Sequence, residues 1–332
     1  MKITIIGAGI AGLTCALELN KSNIDVEIID KAAALGGHAC SWYAGGMLAP
    51  WCEFENAEQP ILDYGIKSLD WWRKNTSQVV EKGSLVVAQP RDIADLKQFS
   101  NRTHGYEWLG QQQIEKLEPE LEGRFAKALY FEQEAHLDVR KALLELEQNL
   151  KNKGISIQYN TEFEDVSQFK DSDYIVDCTG YAAKDKLPGL RGVKGEMLLI
   201  QTNELHFSRP IRMLHPRIPL YIVPRDNGVY MVGATMIESD QKQKITARSM
   251  IELLSAAYAL HPAFGEAEIV EIGTEIRPAF SDNLPKIIKN GKVIYVNGFY
   301  RHGYLMAPAI AQILANKLTN QAQKFEFIVE WN

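Results

Sequence analysis

Near the amino terminus, Gly7-Ala8-Gly9-Ile10-Ala11-Gly12 has the spacing that holds a pyrophosphate, and an acid, Asp30, follows where a ribose would lie. The first glycine permits a tight turn, the second lets backbone approach the phosphates, and the third lets a helix pack closely on a strand. That helix would offer its unpaired N–H groups and positive dipole end to the same anion. Just beyond Asp30, Gly36-Gly37 would let the chain pass close to the pyrophosphate of an extended FAD, unless it is an ordinary glycine loop. No second strand–G-x-G-x-x-G–helix unit serves a nicotinamide cofactor, because Gly189, Gly192 and Gly195 are spaced by threes and read as loop. A flavoprotein reduced directly by its substrate is the expectation. Arg277-Pro278, at the end of a predicted strand, suits bidentate capture of a carboxylate, the plainer reading being a surface arginine. Tyr221 opens another predicted strand and could face a substrate or be simply half-buried. Arg301-His302-Gly303 precedes a helix whose N–H groups and dipole could face a flavin ring. A lone histidine is more often structural, so His302 is given no proton-transfer role. His136 and Asp138 lack a third ligand, and no metal site is expected.

The elements that would position these residues follow from hydrophobic period. Residues 3–6 and 26–29 read as buried parallel strands, joined by a helix carrying Leu13, Ala16, Leu17 and Leu19, which completes a βαβ unit ending on Asp30. Helices are predicted over 59–74, with the Trp71-Trp72 pair as core or interface, and over 139–153, stopped by Gly154. Strands are predicted over 155–159, 174–178, 196–201, 220–223 and 229–233, the last two flanking the hairpin signal Asp226-Asn227-Gly228. A helix over 246–260, strands over 269–276 and 293–296 and a helix over 307–318 follow. The α/β ends enclose an antiparallel-looking middle. The expected fold is therefore α/β, a discontinuous Rossmann-like FAD-binding domain of residues 1–80, 135–190 and 278–332. An inserted, mostly antiparallel, sheet-rich substrate domain takes residues 81–134 and 191–277.

Composition narrows the function. The 332 residues carry a formal net charge of -6, which leaves no basic excess to neutralise nucleic-acid phosphates. The four cysteines form no C-x-x-C pair and read as reduced thiols, so a cytoplasmic protein is expected. The apolar stretches fall far short of the roughly 18 residues a membrane span needs, and the amino terminus lacks a signal peptide's apolar region.

Taken together, these residues resemble the FAD-dependent amine and amino-acid oxidases of the D-amino acid oxidase superfamily, and within it the glycine oxidases of thiamine biosynthesis. The resemblance spans essentially the whole chain. It rests on G-A-G-I-A-G at 7–12, S-W-Y-A-G-G-M-L-A-P-W-C-E at 41–53, L-H-P-R-I-P-L-Y-I-V-P-R at 214–225, V-G-A-T at 232–235, R-P-A-F-S-D-N-L-P at 277–285 and Y-R-H-G-Y-L-M-A-P-A at 300–309. It implies that Gly7, Gly9, Ile10, Ala11, Gly12, Asp30 and Lys31 hold the ADP moiety, with Gly36 and Gly37 nearby. By the same resemblance Ser41, Gly45, Gly46 and Met47 line the isoalloxazine. Val166, at the end of a strand-like 161–166, would make an adenine-side contact, and Cys178, Thr179 and Gly180 form a second flavin-contacting strand end. Arg277 would bind the substrate carboxylate and Tyr221 bound its pocket. Arg301, His302, Gly303, Tyr304 and Leu305 would form the loop at the flavin ring.

Tyr43, where some relatives have a flavin-linking histidine, and the lack of any cysteine after Cys178 imply non-covalent FAD. The implied reaction is oxidative deamination of glycine or another small amino acid to the imine, then glyoxylate and ammonia, with dioxygen reduced to hydrogen peroxide. Hand-off to thiazole synthase and a homo-oligomer are further implications. Rival readings are a D-amino acid dehydrogenase with a non-oxygen acceptor and a flavin-binding accessory protein without turnover.

Overall fold

A computed structural model describes residues 1–215, 219–321 and 329–331. Part of the 214–225 block and part of the carboxy-terminal segment therefore lie outside the described residues. Two large sheets carry the molecule. The first has seven strands in the order Val329–Trp331, Lys286–Asn290, Val293–Asn297, Tyr174–Asp177, Lys2–Ile6, Asp25–Ile29 and Ile157–Gln158. Its central pairings are parallel, and Lys286–Asn290 alone runs antiparallel to its neighbour Val293–Asn297. Being covered on both faces, its strands are continuous apolar runs: Ile3, Ile5, Ile28 and Ile294 are fully buried.

Helix Ile10–Lys21 starts directly after the first strand and lies beside the final helix, Gly303–Leu318, where the Thr14 hydroxyl reaches the Ala307 carbonyl at 3.4 Å. The final helix begins four residues earlier than expected. Its Pro308 has no amide hydrogen to give to Tyr304, so that carbonyl would be orphaned. The indole N–H of fully buried Trp72, on helix Gln59–Asn75, donates to it instead at 2.7 Å. The tryptophan pair is thus core, with one member repairing a gap in another helix.

The second sheet has nine strands and curves over helix Ala247–Leu260, whose Thr246 caps it by accepting the Ser249 amide hydrogen at 3.2 Å. Its strands are antiparallel except for Ile211–Leu214 beside Ser84–Ala88. The predicted hairpin forms between Leu220–Pro224 and Val229–Gly233, with Asn227 and Gly228 at positive φ of 59° and 68°. Residues 81–134, which carry no motif, supply Ser84–Ala88, Glu107–Gly110 and Lys127–Phe131 to this sheet.

Four expectations change here. Gly192 and Gly195 are not loop but lie within strand Arg191–Gln201, held there by a long antiparallel partner, Glu268–Ala279. That partner runs past residue 276, so Arg277 and Pro278 are inside the strand. Only Ile157–Gln158 of the predicted 155–159 strand pairs. No strand forms over 161–166; Val166 opens a 3-10 turn instead, because the Asp165 carboxylate accepts the Ser167 amide hydrogen at 2.6 Å. No helix among the described residues is long and apolar enough to cross a membrane.

Candidate active site

A cavity of about 1210 Å³ runs from the carboxyl ends of the parallel strands to one face of the second sheet. At its first end the chain turns at Gly7, φ 98°, whose amide donates to the Ile29 carbonyl at 2.8 Å. A Cβ on Gly12 would lie 1.9 Å from the Gly7 carbonyl oxygen, so only glycine lets helix and strand meet. Gly9 caps the helix without a side-chain bond and no acid stands in its first turn; the Ile10 amide reaches the Ser41 hydroxyl at a long 3.4 Å, which leaves this helix end suited to an anion. The Asp30 carboxylate is buried and accepts the Ala8 and Ala32 amide hydrogens at 2.7 and 2.8 Å. It braces the turn and still has lone pairs for a ligand hydroxyl.

The far wall is sheet. In register across it stand Arg212, Tyr221, Gly233, Met197 and Gly273, each opposite the next. Opposed residues share a face, as do residues two apart along a strand, so Glu275 and Arg277 join the same wall. The Tyr221 ring is held between Gly45 and Gly233, whose added Cβ atoms would approach it to 2.8 and 2.9 Å. Burial pushes its phenol up, with Arg277 opposing, so it stays protonated. The Arg277 guanidinium lies across Gly195, where a Cβ would come within 2.3 Å of it, and donates to the Thr235 carbonyl at 2.9 Å.

Between these ends Glu53, on the short helix Pro50–Phe54, gathers three bases. Its carboxylate lies 2.7 Å from Arg301 Nε, 3.1 Å from His302 Nε2 and 3.4 Å from Arg212 Nη1. Burial alone would push the carboxyl up, but Arg301, the His302 hydrogen bond and Arg212 outweigh it and hold Glu53 well below the usual carboxylate range. Burial pushes His302 down against the pull of Glu53, so the imidazole is neutral at pH 7. Its Nδ1 is buried with no partner among the described residues.

Of the residues that the sequence assigned to the site, all but three line this cavity, including Lys31, Ser41, Met47, Val166, Cys178, Thr179, Gly180 and the run Arg301 to Leu305. Gly12, Gly36 and Gly37 do not. Gly12 acts through packing, and Gly37 faces the Tyr43 ring rather than the cavity. Val166 is reached from a turn and is 42% exposed. Glu53, Arg212, Glu275 and Arg225 were missed. Arg225 donates to the Gly45 carbonyl at 2.7 Å and so fixes the loop beside Tyr221. The first and last of these four stand in the quoted 41–53 and 214–225 blocks, but nothing in local spacing aims them at the site.

The family model described as "DAO: FAD dependent oxidoreductase" matches residues 2–317. The chain is 52% identical over 326 residues to the "Putative thiamine biosynthesis oxidoreductase ThiO" of Rhizobium etli, covering 97% of this chain and 98% of that protein. It is 27% identical to the "Bifunctional protein ThiO/ThiG" of Synechocystis sp., covering 96% of this chain and 52% of that one. The solved structure of glycine oxidase from Geobacillus kaustophilus superposes with a TM-score of 0.81 at 22% identity, over 98% of this chain and 96% of that one.

Proposed function

The chain belongs to the DAO family of FAD-dependent oxidoreductases, and from that premise we propose that it oxidatively deaminates glycine or another small amino acid. The observation that carries the substrate reading is a single cavity joining the turn at Gly7 to Ala11 and Asp30 with the Arg277 guanidinium. The residues present fit FAD. The open helix terminus at Gly9 suits a pyrophosphate, and the volume exceeds the roughly 300–1,000 Å³ of an ordinary ligand pocket. In this reading Gly7, Gly9 and Asp30 hold the ADP end, Ser41 and Gly45 to Met47 meet the ring system, and the helix start at Gly303 directs its dipole there.

Bound FAD supplies the acceptor for the hydride leaving the substrate Cα. The chain's own work is positioning. Arg277 clamps the α-carboxylate through a guanidinium already aimed by Thr235, and Tyr221 closes the pocket wall. Glu53 holds Arg301 beside the pocket. The amine reacts in its neutral form, and no side-chain base is required. The imine product hydrolyses to glyoxylate and ammonia, and dioxygen leaves as hydrogen peroxide.

FAD is bound without a covalent link, since burial pushes the Cys40 thiol up to about 11 and the Cys15 hydrogen bond and burial push Cys178 up as well, leaving poor nucleophiles. In this reading the parallel sheet serves the cofactor and the second sheet the substrate. The fused Synechocystis relative supports delivery of the product to thiazole synthase. Anaerobic titration of the FAD-loaded protein with glycine, sarcosine and D-alanine should bleach the flavin. Failure of all three overturns the substrate. Arg277→Ala should raise KM for glycine at least about tenfold, the loss of roughly 1.4 kcal/mol of binding; an unchanged KM removes Arg277 from the carboxylate.

A further inference from the structure

Arg212 is a cation of this cavity that the reaction above does not use. It stands directly across from Tyr221 on the strand pair Ile211–Leu214 and Leu220–Pro224, on the face that carries Arg277. Its side chain is 14% exposed and its guanidinium rests 5.3 Å from the Phe99 ring centroid. Among the described residues it donates only through Nη1, at 3.3 Å to the Cys52 carbonyl and 3.4 Å to Glu53, both beyond the usual N–H···O distance. Nε and Nη2 have no partner among the described residues, and neither is a sealed orphan. Arg212 is among the residues that line the cavity.

Three guanidinium groups, Arg277, Arg301 and Arg212, and the Glu53 carboxylate bear on Tyr221, and Glu275 on the same wall is paired with Lys242 at 2.6 Å. Glu53 is committed at close range to Arg301 and His302. Arg301 is further engaged by Asn56 at 3.0 Å. One substrate carboxylate on Arg277 therefore leaves Arg212 as a largely buried cation whose counter-charge, Glu53 at 3.4 Å, is shared with Arg301 and His302, an arrangement that a second anion relieves. Nε and Nη2, without a partner among the described residues, form one guanidinium edge, the geometry that grips a carboxylate bidentately.

We propose that the site accepts small amino acids bearing a second acidic group, the α-carboxylate on Arg277 and the second carboxylate on the Nε/Nη2 edge of Arg212. This rests on the cavity being the substrate site. The test uses the FAD-loaded protein and ligands that cannot be oxidised, read by perturbation of the flavin absorbance. Acetate, propionate and butyrate are compared with malonate, succinate and glutarate. One dicarboxylate should bind at least about tenfold tighter than its monocarboxylate counterpart, about 1.4 kcal/mol. In Arg212→Met that ratio should fall to about one, and Arg212→Lys should restore part of it. A wild-type protein with no dicarboxylate preference overturns the proposal however the variants fold, as does a preference that survives Arg212→Met. Flavin bleaching by glycine reports separately on the substrate reading. Bleaching without a dicarboxylate advantage overturns only the Arg212 assignment, and an advantage without bleaching upholds it while overturning glycine as substrate.

Discussion

Replacing Glu53 by glutamine removes one charge and little volume from the centre of the site. The side chains concerned are 13% exposed for Glu53, 16% for Arg301, 14% for Arg212 and 3% for His302. Stranding a fully buried charge by deleting its partner costs about 3–5 kcal/mol. Residual solvent contact and the amide oxygen that glutamine keeps for Arg301 reduce this to about 2–3 kcal/mol. An unfolding entropy of about 2.1 cal/mol/K per residue gives about 0.7 kcal/mol/K for this chain, so Tm should fall by about 3–4 °C. The pH dependence identifies the cause. Glu53 is held below its unfolded value, so its contribution is complete above roughly pH 4.3 and is lost as pH falls through the folded value. Calorimetry of the FAD-loaded wild type and Glu53→Gln should therefore show a constant gap from pH 8 to about 5.5 that narrows on further acidification. A gap below 1 °C at pH 7, or one that widens in acid, would refute the reasoning.

Other expectations concern neighbouring groups. Glu134 accepts the Cys52 amide hydrogen at 2.7 Å and meets the Ser84 hydroxyl, and burial raises its carboxyl to about 7. The unfolded chain loses this proton first as pH rises, so stability should decline between about pH 4.5 and 7. Glu134→Gln should flatten that decline by up to about 3 kcal/mol in urea midpoints measured against pH, and parallel profiles would count against it. Gly12→Ala places a Cβ against the Gly7 carbonyl and should weaken FAD retention at least about tenfold in a fluorescence titration. Acid precipitation should release all the yellow colour to the supernatant, and colour left in the pellet would show a covalent link.

Local signals carried the first half of the site. The turn at Gly7 to Gly12, Asp30 and the strands flanking them are consecutive, so short-range pattern suffices to read them. Arg277 was legible as a candidate for the site, and it does line the cavity, but its position inside a twelve-residue strand was not legible, because that length is set by pairing with Arg191–Gln201 far upstream. The same partner turned Gly192 and Gly195 from apparent loop into strand. Val166 looked extended because its neighbours alternate, and the Asp165 side chain diverted the backbone into a turn. Glu53 and Arg212 stayed hidden because their meeting joins a five-residue helix to a strand about 160 residues later. No one-dimensional spacing encodes that.

The strand order of the parallel sheet has a consequence for how the enzyme is made. Lys2–Ile6 leaves the ribosome first, yet its neighbour Tyr174–Asp177 and the next strand, Val293–Asn297, come much later. At about 5–20 residues per second, roughly 15–60 s pass between translation of Gly7 and of the helix that begins at Gly303. Throughout that interval the apolar first helix has no final partner, and the nucleotide has half a cradle. FAD therefore cannot template the early steps of folding. It can only capture a chain whose last helix has already been made.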